Sequence, residues 1–278
     1  MLDREYKQSG RKSAYSRLAA LSIVYCLLSV IFLSATTFTK IGTYETKAGI
    51  IAVDNFGNFY SASGNGVQKY SPDGKFICRY EEFKYGKIGM IDVSNPMKMM
   101  VYYPDFMTVV IVDRFLVPIN TYNFFELGYQ NVSAVASSLD GRIWFYDNID
   151  FKLKKIDEGG KVFRESQQLN VVVDATPNPN FMIEKENKVY VNDPNIGILV
   201  FDIFGSYEKT IPLKGLKKFQ VLQDQIIYFE NNQLSAYNSF TLELRSLTLP
   251  DTTNVTNAVL EKNRLGVLKP DRVDFYSY

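Results

Sequence analysis

The chain has 278 residues, of which 46% are apolar, 14% aromatic and 22% charged, so a large core is within reach and global disorder is excluded. Net charge is +1, and removing the segment before Thr36 leaves 26 basic against 28 acidic residues, a balance that argues against nucleic acid as the main ligand. Histidine is absent, which excludes Ser-His-Asp and Cys-His catalysis, and two cysteines exclude a disulfide framework.

The first predicted element is an address. Arg11, Lys12 and Arg17 precede a run from Leu18 to Ala35 that carries no charge. A basic flank, an apolar stretch and the small residues Ser34 and Ala35 have the layout of a secretory signal. As a helix the run would span about 27 Å, slightly short of a hydrocarbon core, so an uncleaved anchor meets the pattern as well. Residues 1–36 are therefore read as a signal peptide or signal anchor formed by an N-terminal apolar helix. Everything beyond is expected outside the cytoplasm, periplasmic or associated with the outer membrane, with membrane contact only through residues 18–35 if they are retained. Cys26 falls inside this run, and Cys78, in the strand Lys75-Phe-Ile-Cys-Arg-Tyr80, is read as a small core residue.

From about Thr39 the chain alternates short apolar strands with turns rich in Gly, Asn, Asp and Pro, and no amphipathic helix of ten residues interrupts it. The first unit runs Ile50 to Asp54, Phe59 to Ala62, Val67 to Tyr70 and Lys75 to Tyr80. A less regular unit follows from Met90 to Leu127 and includes Val109-Val-Ile-Val-Asp113. Further units start at Val132, Phe181, Phe219 and near residue 257. A period of about 40 to 50 residues with four strands per unit is the mark of a propeller. The last unit supplies only three strands, Ala258 to Leu260, Leu265 to Leu268 and Val273 to Tyr276. Residues Ile41 to Thr46 are placed to supply the fourth and close the ring. The expectation over 37–278 is an all-β, six-bladed propeller of four-stranded antiparallel blades closed by an N-terminal strand, with an open pair of sandwiched sheets as the competing architecture.

Leu139-Asp-Gly-Arg-Ile-Trp-Phe-Tyr146 resembles the core of regulator-type and NHL-type propeller repeats, in which the aromatic after the turn packs between blades. Asp54-Asn-Phe-Gly-Asn-Phe-Tyr60 and Ser71-Pro-Asp-Gly-Lys75 resemble the matching turns. The run Gly197-Ile-Leu-Val-Phe-Asp-Ile-Phe-Gly-Ser-Tyr207 with Lys209-Thr-Ile-Pro-Leu213 resembles cell-envelope propellers of the Bacteroidota. That resemblance implies a component accompanying outer-membrane secretion or assembly machinery.

No phosphate loop, dinucleotide fingerprint or paired-cysteine metal motif is present, so no cofactor and no metal is expected. The rival is a calcium-dependent hydrolase or lactonase, which would need carboxylates converging on a central channel. Asp54, Asp92, Glu184 and Glu230 lie in or near predicted inner strands and are the only candidates, and turn formation and solvated strand ends are the favoured account of them. Binding surfaces are better supported. Tyr102, Tyr103 and Phe106 head an aromatic crowd in the second unit that also includes Tyr122, Phe124, Phe125 and Tyr129; aromatics of this density anchor protein interfaces or fill gaps between blades. Lys217 and Lys218, with Lys214, form a small basic cluster between the fourth and fifth units. The reading is a non-enzymatic, exported scaffold whose binding residues are Tyr102, Tyr103, Phe106, Lys217 and Lys218, and whose partners are envelope proteins.

Overall fold

The computed structural model describes residues Phe38–Tyr278, so the apolar helix expected over 18–35 lies outside the described residues. Among the described residues no helix is long and apolar enough to cross a membrane. The chain opens with β1 (Thr39–Glu45). Blade 1 then holds β2 (Ile50–Val53), β3 (Phe59–Ser63), β4 (Gly66–Tyr70) and β5 (Phe76–Glu81). Blade 2 holds β6 (Met90–Asp92), β7 (Lys98–Tyr103), β8 (Thr108–Asp113) and β9 (Pro118–Asn123). Blade 3 holds β10 (Val132–Ser137), β11 (Ile143–Asp147), β12 (Lys152–Ile156) and β13 (Val162–Glu165). Blade 4 holds β14 (Phe181–Lys185), β15 (Lys188–Asp193), β16 (Gly197–Asp202) and β17 (Tyr207–Ile211). Blade 5 holds β18 (Gln220–Leu222), β19 (Gln225–Glu230), β20 (Gln233–Asn238) and β21 (Leu244–Leu247). Blade 6 holds β22 (Asn257–Glu261), β23 (Arg264–Leu268) and β24 (Arg272–Ser277), and β1 completes it in the order β22-β23-β24-β1. The expected six four-stranded antiparallel blades and their N-terminal closure are both present. Among the described residues, helical structure is confined to one 3-10 turn, Pro104–Phe106, and α1 (Leu169–Val172).

Blades pack face to face, so both faces of the middle strands are buried and their sequences read as continuous apolar runs instead of clean alternation. In β7 the consequence is direct. Tyr102 packs with Phe124, Val135 and Phe145 toward blade 3, while its neighbour Tyr103 packs with Tyr60, Val67 and Tyr80 toward blade 1. Trp144, Tyr146 and Leu153 of blade 3 meet Met182, Val191 and Phe201 of blade 4. Phe59 stacks on Phe275 across the closing junction, centroids 3.8 Å apart and planes 17° from parallel. Cys78 is half-buried beside the cluster between blades 1 and 2, and burial pushes its thiol pKa up, in keeping with a packing role.

The inner strands β2, β6, β10, β14, β18 and β22 run in one direction. Bonds between equivalent ends show it: Ser137 N donates to Asp92 Oδ2 at 2.9 Å, Gln223 N to Glu186 Oε1 at 2.7 Å and Lys262 Nζ to the Asn55 carbonyl at 3.2 Å. The ring therefore has two distinct sides. The N side, where inner strands begin, carries the blade-to-blade connections and the turns between second and third strands. The C side carries the turns between first and second and between third and fourth strands.

Candidate functional site

The residues proposed from sequence divide cleanly by burial. Tyr102 is 4% exposed and Tyr103 not at all, so neither offers a contact surface on the folded ring; this corrects their expected role as binding residues. Their position explains it, because consecutive strand residues point to opposite faces and both faces of blade 2 are covered. The Tyr102 hydroxyl donates to the Val132 carbonyl at 2.8 Å, and burial pushes the pKa of both phenols up. Tyr122 and Phe124 are buried with them, whereas Phe125 is exposed.

Phe106 is different. It ends the 3-10 turn between β7 and β8, where Met107 takes a left-handed φ of 44° and the turn reverses into β8. Its ring is 53% exposed. The turn sits close against the connection before β6: a Cβ on Gly89 would lie 2.8 Å from Pro104 Cγ, so only glycine lets the two segments meet. Lys217 and Lys218, in the connection before β18, are exposed on this same N side. Lys218 Nζ reaches from blade 5 to donate to the Gly89 carbonyl of blade 2 at 3.0 Å. The residue as a whole is open to solvent, yet protein crowded around its ammonium lowers its pKa by desolvation. The structure thus brings Lys218 to the base of the Phe106 turn, a proximity that 112 residues of sequence separation conceals.

Between the blades lies a channel cavity of about 130 Å³ whose walls are the inner-strand side chains Ile51, Val53, Ile183, Val221 and Val259. Lys218 crosses its N-side mouth, and Lys185 at the end of β14 pairs with Glu261 at the end of β22, 3.5 Å away, at the other.

Asp54 and Asp92 both line the channel cavity, but Glu184 and Glu230 do not join them there. Asp54 is the turn-former anticipated: its Oδ1 accepts Phe56 N and Asn58 N at 2.9 Å, and its Oδ2 accepts Asn58 Nδ2 and Tyr60 OH at 2.8 Å. Asp92 takes Ser94 N and, from blade 3, Ser137 N. Glu184 is buried, not a solvated strand end. It accepts Ser138 Oγ at 2.7 Å, Leu139 N at 2.9 Å and Trp144 Nε1 at 2.6 Å, binding blade 4 to blade 3. Glu230 lies on the second strand of blade 5, not an inner strand, and is exposed. No group of three or more metal-ligating side chains occurs among the described residues.

Sequence reasoning passed over the exposed phenylalanines Phe83 on the N side and Phe56, Phe115, Phe204 and Phe240 on the C side. The signal for the last four was available as a repeated Asp/Asn-x-Phe at turn positions.

No protein-family model and no curated protein matches the chain. Solved structures do. Virginiamycin B lyase from Staphylococcus aureus, in a catalytically inactive form with quinupristin, aligns at a TM-score of 0.58 and 13% identity over 87% of this chain and 100% of that one. BamB from Moraxella catarrhalis aligns at 0.50 and 13% identity over 87% and 98%. A chain of the mitotic checkpoint complex aligns at 0.61 and 9% identity over 86% and 94%. The shared property is the fold. At these identities an enzyme and components of protein assemblies are equally near, and chemistry has to be argued from the residues.

Proposed function

We propose that this chain is a non-enzymatic binding propeller of the cell envelope, holding a protein partner on its N side. The observation that supports this reading best is the channel. At about 130 Å³ and crossed by a lysine at each mouth, it is smaller than the roughly 300–1,000 Å³ of small-molecule pockets, so recognition falls to the surface. On the N side, Phe83, Phe106 and Phe125 are each more than half exposed, and Lys217 and Lys218 are exposed on the same side. Exposed aromatics next to cations are the residue types that anchor protein interfaces. The export reading rests on Arg11, Lys12 and Arg17 ahead of the uncharged run 18–35. The resemblance to envelope propellers points to a secretion or assembly complex as the setting.

Affinity capture from native envelope tests the reading with a triple variant, Phe106→Ala, Lys217→Ala and Lys218→Ala. The variant should lose the partner, the Phe106 anchor alone being worth about 2 kcal/mol, while its melting temperature falls by no more than loss of the Lys218–Gly89 hydrogen bond explains. Capture undiminished by the triple change removes the N side as the binding surface. Calcium should leave the melting temperature where it is; a rise abolished by Asp54→Asn would replace this reading with that of a calcium-dependent hydrolase.

A further inference from the structure

Four hairpin turns on the C side share a construction that the blade repeat does not require. Asp54, Asp113, Asp202 and Asn238 each accept, through Oδ1, the N–H of the residue two positions on, at 2.8–2.9 Å. That residue is phenylalanine every time: Phe56, Phe115, Phe204 and Phe240. The side-chain bond fixes the turn backbone, and the ring is left between 53% and 75% exposed. Folding does not demand an aromatic there, because Asp92 and Asp157 make the same bond to Ser94 and Gly159 on the same side.

A cation lies over three of the four rings. Arg114 lies 4.7 Å from the Phe115 centroid, Arg164 5.0 Å from Phe204 and Lys209 5.4 Å from Phe240. Beside Phe56, Lys262 Nζ donates to the Asn55 carbonyl. The four rings are spread over blades 1, 2, 4 and 5 instead of gathering into the single central patch typical of a protein partner. Spaced contacts of this kind fit an extended planar body. The strand order adds a second argument. Thr39 pairs with Ser277, and Tyr278 N donates to the Asn263 carbonyl in the turn after β22, so Phe38 enters on this same side. Only Thr36 and Thr37 separate Phe38 from the uncharged run 18–35.

We infer that the C side of the ring rests on an anionic lipid bilayer, its four phenylalanines set at the acyl boundary and the neighbouring cations facing lipid headgroups. Rings paired with lysine or arginine are what an interfacial surface presents, and each cation near an anionic leaflet contributes favourably. The inference is independent of the N-side partner, which it leaves uncovered.

The test uses the full chain with vesicles of phosphatidylcholine and phosphatidylglycerol carrying a quencher near the headgroup. Because residues 18–35 can insert by themselves, the readout is position on the ring rather than binding. Trp144, fully buried, gives a constant background. Phe115→Trp and Phe240→Trp should lose most of their added emission and shift to the blue, whereas Phe106→Trp on the N side should not. Equal quenching of all three, or of none, overturns the proposal. Quenching of the C-side variants should also fall in pure phosphatidylcholine; if it does not, the anionic part of the proposal is wrong. A C-side failure with N-side capture intact would leave the binding reading standing.

Discussion

Glu184 joins two blades, whereas the four hydrogen bonds of Asp54 stay within blade 1. The two Glu184 oxygens take three donors from blade 3, with Lys155 Nζ 3.9 Å away and almost fully buried. Glu184→Ala would orphan Ser138 Oγ, Leu139 N and Trp144 Nε1 at once and should cost about 3–5 kcal/mol. Urea unfolding followed by Trp144 emission measures it, and a loss below about 1 kcal/mol would show that the clamp does not hold the blades. Asp140 links the same network to pH. Burial pushes its carboxyl pKa up, but the Lys155 ammonium at 2.7 Å and the Arg142 N–H outweigh that and hold it at about 2 against an ordinary 3.8. A depressed carboxyl pKa gives stability that is complete above 3.8 and is lost as pH falls through about 2. Asp140→Asn should flatten the decline of melting temperature over that window, by a small amount since Asp140 is partly solvated; an unchanged pH profile contradicts the assignment. Residue-level legibility followed the turns. Phe106 could be placed on the surface because Pro104-Asp105 announce a reversal, whereas Tyr102 and Tyr103 could not be assigned until the start of β7 was known. One residue of register decides which face a strand aromatic joins, and here both faces are buried.

At the scale of elements, closure by β1 carries the heaviest consequence. Asp274 of β24 is completely buried and accepts Thr43 Oγ1 at 2.7 Å and Lys40 Nζ at 2.8 Å, both from β1. Tyr44 lies 4.4 Å from the Tyr70 ring of blade 1 and 5.3 Å from Phe275, so β1 also joins blade 6 to blade 1. Deleting Thr39–Glu45 should lower the melting temperature by about 10 °C or more, or cause aggregation through the freed edge of β24. Tyr44→Ala, which keeps the ladder, should cost about 2–3 kcal/mol. Stability unchanged in both would mean that the ring closes without β1. The inner strands anticipated at 50, 90, 132, 181, 219 and 257 begin at Ile50, Met90, Val132, Phe181, Gln220 and Asn257. That legibility comes from four-residue hairpin turns ending in glycine, Asp54 to Gly57, Ser138 to Gly141 and Asp202 to Gly205, where the glycines take φ of 81°, 83° and 88°. Blade 2 was harder to parse for a matching reason. Its outer hairpin puts Leu116 at φ 63° where those of blades 1, 3 and 4 have Gly74, Gly160 and Gly205, with the leucine side chain buried against Val110 and Val112, and its inner strand has only three residues.

For the whole molecule, the two sides of the ring present different surfaces. The N side presents Phe106, Lys217 and Lys218, with Lys218 crossing the channel mouth, and the C side presents four exposed phenylalanines, three of them under a cation, on the side where Phe38 leads into β1. Fold class was legible because a four-strand period recurs six times; the site was not, because Lys218 and the Gly89 connection meet only across a closed ring. The central claim is that a protein of the envelope occupies the N side. A photo-crosslinking phenylalanine analogue placed at Phe106 in living cells, with Asp73 on the C side as control, tests it most directly. The account predicts a discrete adduct with an envelope protein from position 106 and none from position 73; adducts with cytoplasmic proteins, or equal labelling from both positions, would contradict it.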